Sequence, residues 1–112
     1  MLFTWLPTMK EGATLMFEIE FTPEAIEDIE QLRAFDRRHI IAAIEEQLSH
    51  QPATLTRNRK QLRPNKLAEW ELRIVPYRIF YDVDTTRSVV KIIAVGYKQG
   101  NTLFIHGEEY ML

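Results

Sequence analysis

The sequence predicts an α+β fold: an N-terminal strand, then an antiparallel two-helix hairpin packed on one face of a curved, mainly antiparallel sheet. Three patterns predict it. Trp70, Leu72 and Ile74 alternate with Glu71, Arg73 and Val75, the two-residue period of a strand with one buried face. Ile40, Ile41, Ile44 and Leu48 recur at helical spacing. Phe17, Ile19 and Phe21 alternate with Glu18 and Glu20 ahead of the helices.

Residues 1–15 contain Pro7 and Gly12 and show no sustained period, so they read as an N-terminal extension ahead of a single domain spanning 16–112. They are either an upstream start or loose extension, or a segment whose Phe3, Trp5 and Leu6 dock on a surface such as a second copy. Met16 opens the first strand. Thr22-Pro23-Glu24 starts a helix, because the hydroxyl caps, proline suits the first helical position and the acid meets the positive end of the dipole. Ile26, Ile29 and Leu32 line its apolar stripe, with Glu27, Asp28 and Glu30 outward. Phe35-Asp36 interrupts, and Asp36 is the expected cap of a second helix through Ser49, with Gln51-Pro52 ending it. Residues 53–66 are polar and basic without a period and read as a loop. Strands at 67–75, 77–83 and 88–97 follow, joined by a tight turn at Pro76 and by Asp84-Thr85-Thr86-Arg87. The last is apolar on both faces, which predicts a central position. Leu103-Phe104-Ile105 adds a short edge piece before the tail Gly107-Glu-Glu-Tyr-Met-Leu.

Composition narrows the chemistry. The 112 residues suit one domain with one modest core. With no cysteine, disulfides, thiolate metal sites and cysteine nucleophiles are excluded. No apolar run approaches the ~20 residues needed to span a bilayer. Leu2 to Leu6 is too short for a secretory core and has no basic residue ahead of it, so a cytoplasmic address without membrane association is the expectation. The net charge is −2, against uniform attraction to nucleic acid, but the charge is unevenly placed. Glu18, Glu20, Glu24, Glu27, Asp28 and Glu30 fall in an acidic stretch, and Arg57, Arg59, Lys60, Arg63 and Lys66 in a basic one, so one face can still steer towards phosphate.

The second meander strand draws Arg78 into a hydrophobic segment. A guanidinium there is costly unless it is paired or meets an anionic ligand. The helices cover the face holding Trp70, Leu72 and Ile74, which turns Glu69, Glu71 and Arg73 to the other face.

With these residues in view the chain resembles the RelE/ParE superfamily of small toxins from bacterial toxin–antitoxin pairs. The resemblance rests on Phe17-Glu-Ile-Glu-Phe-Thr-Pro-Glu-Ala, the two helical segments after it, and the Trp-Glu-Leu-Arg, Tyr-Arg-Ile-Phe-Tyr and Val-Gly-Tyr-Lys patches, in order over residues 16–105. It implies an RNA site on the concave, uncovered face and a toxin that cleaves translated message as an mRNA interferase. In such a ribonuclease the 2′-hydroxyl of the message attacks its own neighbouring phosphate without metal or cofactor. The reaction needs a base, cations on the developing charge and an acid for the leaving oxygen.

Carried over residue by residue, Arg78 matches the family's strand arginine, whose planar fork holds two phosphate oxygens. Lys98 falls where many active members place an arginine. Phe104 lies near the type member's catalytic tyrosine, and Glu69 and Glu71 stand where that member has two lysines, which turns two phosphate contacts into repulsions. Other ribonucleases on this fold use a glutamate base, an arginine and a histidine acid, which Glu71, Arg78 and His106 could supply here. Plainer readings stand beside these: Arg78 paired with Asp82 or Glu71, Lys98 merely solvated, His106 merely exposed. His39 and His50 read as structural or solvated.

RNA binding falls to Arg57, Arg59, Lys60, Arg63 and Lys66, with Arg73 beside them; five phosphate contacts to a single strand would give a log–log salt slope of about 3.5. The same loop could instead pair with the acidic stretch of an antitoxin. The expected partners are a cognate antitoxin that folds along the helices and sheet rim, and ribosome-bound mRNA. Homodimers or heterotetramers with the antitoxin are the expected assemblies. Two alternatives to cleavage are a gyrase-poisoning toxin, which binds DNA gyrase and needs no catalytic residues, and a catalytically weakened member acting through antitoxin binding and autoregulation. The nuclease reading requires Arg78 to be presented unpartnered to a polynucleotide; capture by carboxylates or a wall of apolar atoms removes it.

Overall fold

The computed structural model describes residues 16–112; the expected N-terminal extension lies outside them. From Met16 onward the strands and helices follow the predicted order. Strand β1 (Glu18–Phe21) leads into α1 (Pro23–Glu30) and α2 (Ala34–Leu48), followed by β2 (Arg59–Gln61), β3 (Trp70–Ile74), β4 (Tyr77–Asp84), β5 (Val89–Gln99), β6 (Thr102–Ile105) and β7 (Glu108–Tyr110). The sheet runs β2-β3-β4-β5-β6-β7, every neighbour antiparallel, and β1 joins β5 in parallel. Strand β5 therefore meets three others, as its two apolar faces predict.

Thr22 caps α1, its Oγ1 accepting the Ala25 N–H at 3.1 Å, and Pro23 opens the first turn. The α1 stripe is shifted from the predicted one. Ala25 and Ile29 are buried while Ile26 is exposed, because the short helix leans on β5 through its Ala25 side. Asp36 is not the cap of α2. The helix begins three residues earlier than that cap would place it, behind Arg33, which makes no side-chain cap. Asp36 in the first turn instead accepts a hydrogen bond from Tyr77 Oη at 3.1 Å.

The main core lies between the helices and the sheet. Ile40, Ile44 and Leu48 of α2 pack on Leu72, Ile79, Tyr81, Val90 and Ile92, all fully buried. The pleat thus places Trp70, Leu72 and Ile74 where their alternation says. Tyr81 lies parallel to Trp70 at 6.2 Å between ring centres, and its hydroxyl donates to the Pro52 carbonyl at 2.8 Å. Burial pushes the Tyr81 hydroxyl well above the usual tyrosine range. The unfolded chain ionises first, so the stability held below about pH 10 should fall as pH rises beyond it, by at most about 1.4 kcal/mol per unit. Tyr81→Phe should flatten that alkaline limb of the urea midpoint against pH.

Three further expectations need correction. Residues 53–66 are not all loop, since Arg59–Gln61 pair with Trp70–Leu72; a three-residue strand is too short to show a period. The tail forms β7, because His106 (φ 55°) and Gly107 (φ 80°) make the positive-φ turn of a tight hairpin, pairing Ile105 with Glu108. Nor is the far face of the sheet bare. Ala68, Phe80, Ala94 and Ile105 form a second, smaller core there, covered by Leu62, Leu67, Leu103 and Tyr110.

Candidate functional site

On that far face, beside the small core, lies a groove of about 750 Å³. Lys60 of β2, Glu71 and Arg73 of β3, Arg78 of β4 and Lys98 of β5 line it, with Arg63 from the loop after β2. Strand alternation brings them together. Lys60 is the register partner of Glu71, Arg73 of Arg78, and Arg78 of Gly96, and residues so paired share a face. Gly96 is glycine for want of room: a Cβ there would come within 2.5 Å of the Phe104 carbonyl oxygen, so its hydrogen lets β6 close against β5. Among the described residues, five cationic side chains against one acidic side chain make the groove positive on a chain of net charge −2.

The central guanidinium is not unpartnered, and that expectation is overturned. Arg78 Nε lies 3.4 Å from Glu71 Oε2, both side chains only 12% exposed, and its Nη1 donates to the Tyr77 carbonyl at 3.2 Å. The cause is register. Arg73 and Arg78 face each other directly, a like-charge pair that costs stability, and Glu71, two residues back on the same face of β3, supplies the opposite charge. Burial pushes the Arg78 guanidinium below its usual value; Glu71 opposes this and Arg73 adds to it. Asp82, the other partner considered, accepts the Glu69 N–H at 2.8 Å.

The remaining expected site residues divide. His106 is not among the residues lining the groove; it stands at the β6–β7 turn, with Nδ1 2.8 Å from Asp28 Oδ1 on α1. Arg59, expected to bind RNA, faces the helix side, opposite Leu72, and donates to the Gln47 carbonyl. Arg57 is exposed outside the groove. Lys66 and Arg63 line an adjacent cavity of about 640 Å³ with Glu69 and Asp82. Phe104 turns to the helix side and stacks on Tyr97 at 5.2 Å.

Asp28 is the residue that sequence reasoning missed. Read as outward on α1, its side chain is 8% exposed and accepts the Val95 N–H at 3.0 Å. No pattern in α1 announces this, because the unpaired amide belongs to a strand 67 residues away.

A family model described as the ParE toxin of the type II toxin-antitoxin system, parDE, matches residues 19–101. Two solved structures are similar in fold. One is the RelBE2 toxin–antitoxin complex from Mycobacterium tuberculosis, with 24% identity over 75% of this chain and 93% of that chain and a TM-score of 0.66. The other is the intact RelBE toxin–antitoxin complex from E. coli, with 22% identity over 74% and 98% of the two chains and a TM-score of 0.51. No curated protein matches the chain.

Proposed function

The chain belongs to the RelE/ParE superfamily of type II toxin–antitoxin toxins, and on that premise we propose that it arrests growth by binding its target rather than by cleaving message. The observation that carries this reading is the Glu71–Arg78 pair. A base must be free to take the 2′-hydroxyl proton, and the arginine must be free to meet the phosphorane; here each neutralises the other. The candidate acid, His106, is engaged by Asp28 away from the groove, and the ring at Phe104 faces the opposite side of the sheet. The target proposed is DNA gyrase, the target of the non-catalytic branch.

An antitoxin partner is supported by the similar structures, which are toxin–antitoxin complexes. The groove's five cations favour a neutralising segment richer in acid than base. The purified toxin at micromolar concentration should block gyrase supercoiling while leaving ribosome-bound message intact. Cleaved message, or gyrase that supercoils at its normal rate, would overturn the proposal.

A further inference from the structure

Strand β5 has a gap on one side. β1 pairs with it as far as Ile92 and β6 closes on it from Gly96, leaving Ile93–Val95 without a strand neighbour there among the described residues. Helix α1 fills the gap with side chains. Thr22 Oγ1 donates to the Ile93 carbonyl at 3.1 Å, and Asp28 Oδ2 accepts the Val95 N–H at 3.0 Å. One carboxylate oxygen remains, and it takes His106 Nδ1 at 2.8 Å. An ionised carboxylate only accepts, so the ring N–H is the donor.

This second bond serves the hairpin rather than the gap. His106 is the first residue of the β6–β7 turn, held at φ 55°, and the two strands it joins carry Leu103 and Tyr110 into the lining of the cationic groove. β7 is an edge strand of three residues, paired on one side only among the described residues, so beyond the packing of Tyr110 on the small core little ties it down.

We propose that His106 is a positioning residue: by clasping Asp28 it fixes the β6–β7 hairpin as the far wall of the groove and so links α1 to the groove's shape. The part of this inference that concerns the groove rests on the binding function above; the clasp itself does not.

Amide hydrogen exchange across residues 103–110 is the direct test. His106→Ala should speed exchange there about tenfold, with β1 and β3 unchanged. His106→Asn keeps an N–H donor at the Nδ1 position and tolerates positive φ, so it should restore protection. Asp28→Ala combined with His106→Ala should exchange no faster than Asp28→Ala alone. Affinity for inorganic polyphosphate should fall about fivefold in His106→Ala and recover in His106→Asn. Native exchange in His106→Ala, or failure of His106→Asn to restore it, overturns the clasp. Faster exchange with unchanged polyphosphate affinity overturns the link to the groove. A toxin that spares gyrase yet shows these exchange rates loses the proposed target and keeps the clasp.

Discussion

Glu71→Gln should leave growth arrest undiminished and tighten the groove's hold on polyphosphate, by about three- to tenfold. Glutamine has nearly the same shape and keeps an oxygen that can accept from Arg78 Nε, but it removes the one negative side chain that the described residues contribute to the groove. Releasing the guanidinium from a charged partner leaves more of its field for an incoming anion. The cleavage mechanism demands the reverse outcome. There Glu71 is the base for the 2′-hydroxyl, and losing a positioned base costs about 10²–10⁴ in rate. A Glu71→Gln toxin that no longer arrests growth, while still folding and binding antitoxin, would reinstate the nuclease. The assay is colony formation on induction, with circular dichroism and antitoxin titration as controls.

Phe80→Ala should lower unfolding stability by about 3–5 kcal/mol, the range for removing a buried aromatic ring. Phe80 is fully buried although it stands on the face of the sheet opposite the helices. Its neighbours there are small or short, Ala68, Ala94 and Ile105, so the alanine variant leaves a hole that they cannot fill. The roof over it, Leu62, Leu103 and Tyr110, also lines the groove, so this variant should weaken polyphosphate binding together with stability. Urea denaturation measures the first effect. A loss below about 1 kcal/mol would show that this face is not a second core.

Much of the fold was legible because its signals are local. The Thr22-Pro23 start of α1, the α2 stripe at Ile40, Ile44 and Leu48, and the alternation from Trp70 to Ile74 each lie within one stretch of chain. The strand β2 and the tail strand β7 escaped for lack of length, since three residues carry no period. Asp36 was misplaced as a cap because residue type marks a helix start only to within a turn; its carboxylate went to Tyr77, 41 residues on.

The site divides along the same line. Sequence alone determined which face of β3 shows Glu71 and Arg73, that Arg78 interrupts an apolar strand, and that this chain is a RelE/ParE toxin, because alternation and motif order are properties of neighbours. Tertiary structure alone decided that Arg73 would oppose Arg78 and draw Glu71 into a pair, that Arg59 would turn to the helix side, and that Asp28 would hold both Val95 and His106. Each of those depends on strand register or on a gap beside a distant strand. Side-chain charges act across a few ångströms of space, and which charges come that close is settled only when strands far apart in the chain lie side by side.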